Sequence, residues 1–216
     1  MMENKNITSF SLAAVQRIPN YYRVLKEMQL EGKDYVSSTT IGSILNLNPI
    51  LVKKDLSLLT TVEGKPRLGY NIDILVKDLE TFLGYNNAKD AVIIGVGNLG
   101  RALLSYPGFA HYGINICLGF DVNSDLIGTV INDVTIMPMT KLEDLINRLH
   151  IRIAILTVPK DYAQEIASRL EKTEIRAIWN WAPTRLEVSK DIAVKNEDIA
   201  SSLAVLTNKM KEIMKD

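Results

Sequence analysis

Six residues, Gly95-Val96-Gly97-Asn98-Leu99-Gly100, constrain this chain more than any other segment. They follow an apolar run over 91–94 and open a helical pattern over 99–104, so the spacing sets a glycine loop between a strand and a helix. In that setting the first glycine permits a tight turn and the second lets the backbone approach a pyrophosphate. The third lets the helix pack closely on the strand. Phosphates then meet the helix N-terminus, where free amides and the helix dipole favour negative charge. Asp121 ends the next apolar run, 114–120. A carboxylate there accepts from adenosine ribose hydroxyls and repels a 2′-phosphate, which predicts NAD(H) rather than NADP. The alternative is a glycine turn with an incidental strand-end aspartate.

From Lys89 onward strand and helix patterns alternate. Strands are expected over 91–94, 114–120, 134–136, 151–158 and 175–179, and helices over 99–104, 141–149 and 161–170. This rhythm predicts a doubly wound parallel sheet of Rossmann type over 86–196. Thr157-Val158-Pro159 and Asn180-Trp181-Ala182-Pro183 end the fourth and fifth strands, at the sheet edge where such folds bind ligands. Thr157, Pro159 and Asn180 are therefore candidate cofactor contacts with Gly95, Gly97, Asn98, Leu99, Gly100 and Asp121. Strand-ending turns would look the same.

Residues 1–85 read differently. Ile18, Tyr22, Leu25 and Met28 recur at helical spacing, with Pro19 near the expected helix start and Gly32 as a stop. Ser37 and Ser38 can cap a short helix through Leu45. Asn46 to Asn48 reads as a turn, and Pro49 opens a helix to about Leu59. Two short helices on a tight turn form a helix-turn-helix pattern, the second being the recognition helix. Thr61-Val62 and Tyr70 flank a Gly/Pro-broken tip with Lys65 and Arg67, which predicts the hairpin of a winged helix. A helical stripe from Ile72 to Leu83, capped by Asn71 and stopped by Gly84, follows. The polar stretch 84–88 reads as a linker. Helix-turn-helix shapes also serve purely structural roles, so this pattern leaves DNA binding open.

Charge narrows little. Lys plus Arg and Asp plus Glu number 25 each, so no global positive field advertises nucleic acid. Over 48–70 the basic residues Lys53, Lys54, Lys65 and Arg67 face only Asp55 and Glu63, a bias that a solvated helix face would also give. The apolar runs are too short for a membrane span, and residues 1–6 show no signal-peptide pattern. The single cysteine, Cys117, lies in a strand pattern and reads as a buried, inert thiol. A soluble protein of a reducing, cytoplasmic compartment is expected. The two histidines, His111 and His150, read as packing or surface residues. Neither a metal-ligand cluster nor a catalytic triad is apparent, so reading the cofactor is more economical than converting it. An NAD-dependent oxidoreductase with a helical appendage is the rival, and a nucleotide-binding module that never touches DNA is a third reading. Over 197–216, Ile199, Leu203, Leu206, Met210 and Ile213 recur at fours and threes, a stripe suited to packing on the same chain or on a second one.

Several segments together resemble the Rex family of redox-sensing transcriptional repressors over nearly the whole chain. They are Arg17-Ile18-Pro19-Asn20-Tyr21-Tyr22-Arg23, Val36-Ser37-Ser38, Lys53-Lys54-Asp55-Leu56-Ser57 and Gly69-Tyr70-Asn71. In the second half they are the glycine loop with Ala102-Leu103-Leu104, Phe120-Asp121, Val158-Pro159 and Asn180-Trp181-Ala182-Pro183. The resemblance implies a homodimer with exchanged C-terminal helices, bound to a palindromic double-stranded operator and released by NADH, with NAD⁺ competing for the site. It also implies a switch formed by Arg23, Tyr106 near the nicotinamide, and Asp198 from the partner's terminal helix. DNA contacts fall on Lys53, Lys54 and Ser57 of the helix and on Lys65 and Arg67 of the wing. Four departures stand out: Lys53 replaces the family's arginine, Leu58 to Val62 replaces its aromatic-glycine stretch, Pro66-Arg67 stands where the wing arginine-glycine is usual, and Asn-Trp-Ala-Pro replaces Asn-Phe-Ala-Pro.

Overall fold

The structure, a computed structural model, describes residues 11–85 and 89–214, and the chain divides into two compact units between Asn87 and Ala88. Residues 1–6 and the linker positions Asn86 to Ala88 lie outside the described residues.

The first unit is organised by helix α1 (Leu12–Leu30), which packs on α4 (Ile72–Leu83). Ile18, Tyr21, Tyr22, Leu25 and Met28 of α1 and Ile72, Leu75, Val76 and Leu79 of α4 are buried, one stripe from each helix. Sequence reading put Pro19 near the helix start. The helix instead begins two turns earlier, where the Ser11 hydroxyl accepts from the Ala14 amide at 3.2 Å, and Pro19 lies inside it. Proline in a helix interior costs about 3 kcal/mol, which burial of the large α1 side chains around it offsets.

Strand β1 (Tyr35–Val36) leads into α2 (Ser38–Leu45), and α3 (Pro49–Leu59) follows a tight turn. Local chemistry fixes the boundaries. The Ser37 hydroxyl accepts from Thr40 N at 3.0 Å, Asn46 adopts a left-handed φ of 54°, and Asn48 Oδ1 accepts from Ile50 N at 2.8 Å. The expected hairpin between Thr61-Val62 and Tyr70 needs correction. Thr61-Val62 forms no strand; Asp78 of α4 takes the Thr61 amide (2.6 Å) and the Thr60 hydroxyl (3.0 Å) instead. Strand β2 (Tyr70–Asn71) pairs antiparallel with β1, Val36 opposite Tyr70. The wing is a tight turn closed by reciprocal backbone bonds between Lys65 and Gly69, each 2.8 Å.

In the second unit a seven-stranded sheet runs β5-β6-β4-β3-β7-β8-β9: β3 (Lys89–Ile94), β4 (Ile114–Asp121), β5 (Val130–Ile131), β6 (Val134–Pro138), β7 (Ile153–Leu156), β8 (Ala177–Asn180) and β9 (Ala193–Asn196). Every pairing is parallel except β5 with β6. Val92 and Ile94 face the core under α6 (Leu142–Arg148) and α7 (Lys160–Leu170), and Ile93 faces the opposite core beside α5 (Asn98–Leu104). Both sheet faces are therefore covered, as a doubly wound fold requires. Strands β5 and β9 were not anticipated; both are short and exposed at the sheet edges. Cys117 is half-buried at a register shift between β3 and β4, its thiol donating to Ala91 O at 3.4 Å. Burial pushes that thiol up to about 11, so it stays protonated and unreactive. Helix α8 (Ile199–Ile213) begins at Asp198, whose carboxylate accepts from Ser201 N at 2.9 Å. Every described side chain of α8 is exposed, Leu203, Leu206, Met210 and Ile213 included.

Candidate nucleotide site and nucleic-acid face

Strand order reverses at β3: the chain leaves it toward β4 and β6, then returns to add β7 on the other side. The loops after β3 and β7 thus splay apart at a topological switch point, the usual place for a ligand in an open α/β sheet. A cavity of about 740 Å³ lies there, walled by Gly95, Gly97, Leu99, Asp121, Thr157, Val158, Pro159 and Trp181 among others.

The three glycines have separate reasons. Gly95 has φ +89°, and a side chain there would strike the carbonyl of Thr157, 2.9 Å from a Cβ position. At Gly100 a Cβ would run into the Gly95 carbonyl, so only glycine lets α5 sit this close to β3. Gly97 differs: its φ is ordinary, and a Cβ would meet nothing within 4 Å. Neither strain nor packing inside the protein demands glycine at 97. What a side chain would fill is the open space of the loop, the position a pyrophosphate would take, so the residues fit a dinucleotide.

Around the loop, polar groups hold the backbone. Gly95 N donates to Phe120 O at 2.8 Å, and the Thr157 hydroxyl reaches Gly95 O at 2.6 Å. Asp121 Oδ2 accepts from Val96 N at 2.6 Å while Oδ1 accepts from Asn123 N at 2.9 Å. Each carboxylate oxygen keeps a lone pair for a ribose hydroxyl. Asn180, expected as a cofactor contact, is fully buried. Its amide nitrogen donates to Thr184 O (2.7 Å) and Asn196 Oδ1 (2.8 Å), and its oxygen accepts from Ala182 N (3.0 Å). It pins the turn that carries Trp181 and does not line the cavity; Asn98, Gly100 and Tyr106 do not line it either. Tyr106 is half-exposed and begins an aromatic row: Tyr106–Phe109 at 5.1 Å, Phe109–Trp179 at 5.9 Å and Trp179–Trp181 at 4.8 Å between ring centroids.

Sequence reading missed one cavity wall. Tyr162, Glu165, Ile166 and Arg169 all line it, at the i, i+3, i+4, i+7 spacing of a single face of α7, a signal present in the sequence. Arg169 is positioned by a fork onto Glu143 (2.6 and 2.9 Å) and by Met139 O (2.6 Å). The Arg169 hydrogen bond in turn holds the Glu143 carboxyl below its ordinary range.

In the first unit α3 presents Ile50, Lys53, Lys54 and Ser57 to solvent along one stripe. The Ser57 hydroxyl donates back to Lys54 O at 2.8 Å. The only acid of α3, Asp55, points the other way and is buried. Arg17 of α1 grips it with Nε (2.9 Å) and Nη2 (3.0 Å), and Tyr21 Oη donates to it at 2.7 Å. Burial, reinforced by the Asp55 hydrogen bond, pushes the Tyr21 hydroxyl up to about 12. This clamp also escaped sequence reading, since its partners are far apart in the chain. On the wing, Lys65 Nζ lies 5.7 Å from the Tyr35 ring centroid, and Arg67 holds a left-handed φ of 64° at the exposed tip. Arg23 is exposed on α1. Among the described residues no group of three His, Cys, Asp or Glu side chains is placed to hold a metal ion, and no helix is long and apolar enough to cross a membrane.

A winged-helix unit with a cationic recognition helix, joined to a dinucleotide-type fold with a formed cavity, defines a class: the ligand-responsive DNA-binding regulators. Comparison with known proteins then narrows it. Residues 86–184 match the CoA binding domain family, and residues 10–57 match a family of DNA-binding protein N-termini. The redox-sensing transcriptional repressor Rex of Treponema denticola is 40% identical over 193 residues, 89% of this chain and 91% of that protein. Among solved structures, RSP, a Rex-family repressor, is 34% identical and covers 95% of this chain. In its complex with NAD⁺ and operator DNA it matches with a TM-score of 0.87 over 95% of its own length, and with NADH with a TM-score of 0.86 over 97%. The chain belongs to the Rex family of redox-sensing transcriptional repressors.

Proposed function

We propose that this protein is a homodimeric repressor that reports the NADH/NAD⁺ ratio: NADH entering the cavity releases a palindromic operator, and NAD⁺ competes without releasing it. The observation that carries this reading is the conjunction of Gly97, open only toward the loop, with the Asp121 carboxylate at the mouth of the switch-point cavity. Gly95, Gly97, Asn98, Leu99 and Gly100 hold the pyrophosphate loop, Asp121 takes the ribose, and Thr157 and Pro159 close the far side. Asn180 acts indirectly by setting the turn of Trp181. On DNA, α3 enters the major groove with Lys53, Lys54 and Ser57 facing the duplex, the lysines toward the phosphates at its rims, while Lys65 and Arg67 on the wing meet phosphates or the minor groove. The functional divisions are 1–85, 86–196 and 197–216, the last being exchanged in the dimer through the exposed Leu203, Leu206, Met210 and Ile213. Coupling runs through Arg23, Tyr106 and Asp198 of the partner subunit, an ion pair and a hydroxyl made in one domain arrangement and lost in the other. The protein binds the cofactor without turning it over, and works in the cytoplasm.

The test is fluorescence anisotropy on a labelled palindromic promoter duplex, titrated with NADH, NAD⁺ and coenzyme A, with NADH absorbance followed in parallel. Release by NADH alone, with constant absorbance, supports the reading. Indifference to NADH overturns it, and NADH consumption with an added substrate would favour the oxidoreductase.

A further inference from the structure

The exposed stripe of α3 carries two apolar residues that its charge does not explain, Leu58 in the last turn, 40% exposed, and the more exposed Ile50 in the first. Ile50 is 77% exposed, yet it lies three and four residues before Lys53 and Lys54, on their side of the helix. An isolated surface isoleucine is ordinary. This one is rigidly presented: it occupies the first turn, its amide is fixed by Asn48 Oδ1 at 2.8 Å, and a β-branched side chain in a helix has essentially one rotamer. The polar groups on the stripe discriminate poorly. The Ser57 hydrogen is spent on Lys54 O, and lysine is a point charge on a flexible stem that cannot form a bidentate fork to a base edge.

A partner for this stripe must therefore be anionic around the lysines and apolar at Ile50. No acid of α3 itself neutralises them, because Asp55 is buried on the opposite side against Arg17. The DNA major groove offers that pattern, phosphates at its rims and the thymine C5-methyl as the apolar spot on its floor. The first turn of a recognition helix is also the part that reaches base edges. We infer that Ile50 is a specificity-determining residue that reads a thymine methyl in each half-site. This rests on the DNA-binding reading given above.

The test uses the full-length protein and a palindromic duplex obtained by in vitro selection. Thymines are replaced one symmetric pair at a time by deoxyuridine, which removes only the methyl. For the wild type, one pair should weaken binding about fourfold per half-site, roughly 15-fold for the palindrome, the worth of burying one methyl twice. Ile50→Ala should bind the unmodified duplex more weakly and lose all sensitivity to that pair, with an unchanged unfolding midpoint. Deoxyuridine without effect at every position, or an equal effect on Ile50→Ala, overturns the assignment. If selection yields no duplex at all, the DNA-binding reading itself falls and this one with it.

Discussion

The two units hold their working parts by different means. In the first, α3 is fastened by charge: Asp55, 3% exposed, is clamped by Arg17 and Tyr21, and Asp78 gathers Thr60 and Thr61 at the helix end. In the second, single charges act only on backbone: Asp121 takes the Val96 amide and Arg101 the Val96 carbonyl of the glycine loop, beside the Gly95 amide and the Thr157 hydroxyl, and the Trp181 turn is held by the neutral Asn180 amide. The proposed function gives the difference a use: there the helix whose exposed lysines meet a polyanion is held by a buried ion pair, and the loop offered to phosphates is held without one. Clamps made of charge are stronger when whole and costlier when broken.

The largest expected effect is therefore at Asp55. Asp55→Ala strands the Arg17 guanidinium and should cost the first unit about 3–5 kcal/mol in denaturant unfolding. Less than 1 kcal/mol would show that the clamp is idle. Asn180→Ala, the neutral counterpart, should cost about 1–3 kcal/mol, because it orphans buried backbone groups but no charge. A loss as large as that for Asp55 would erase the contrast between the units. Asp121→Ala removes an ionised acceptor and should weaken NADH binding by about 10- to 150-fold, read by quenching of the two tryptophans, Trp179 and Trp181. Undiminished affinity would mean that the ribose is held elsewhere.

The two units also differ in the groups that titrate: tyrosines at the alkaline end in the first, Glu143 at the acid end and Cys117, raised from 9.0 to about 11, at the alkaline end in the second. The Tyr21 pKa is raised in the fold from 10.0 to about 12, so its stabilising contribution is complete below pH 10 and is lost between about pH 10 and 12. Tyr70, raised by burial and by Glu63, adds to the same slope. Glu143 is lowered from 4.5 by Arg169, so its contribution is present above that value and disappears as the pH falls below it. Circular dichroism at alkaline pH should show Tyr21→Phe flattening the first unit's decline; an unchanged slope would place the titration elsewhere. Last and smallest, Lys54→Ala should weaken all duplexes alike and reduce the slope of log K against log salt by about 1. An unaltered slope would remove Lys54 from the phosphate contacts.

The features legible in the sequence are those made by neighbours along the chain. The Ser37 and Asn71 caps, the turn at Asn46 to Asn48, the glycine loop with Asp121 and the strand-helix alternation are each set within a few residues, by backbone geometry and apolar period. The tertiary structure alone decided the rest. Tyr70 was expected to pair with Thr61-Val62, and the fold pairs Tyr70-Asn71 with Tyr35-Val36 instead, because Thr60 and Thr61 are captured by Asp78 on α4. Asp55 read as one of two acids diluting a basic segment and proved to be the anchor of the recognition helix. Asn180 read as a ligand contact and proved to be the pin of a turn. Periodicity tells which side chains turn inward; it carries no information about which buried donor meets which acceptor across the fold, and that pairing sets what each polar residue does.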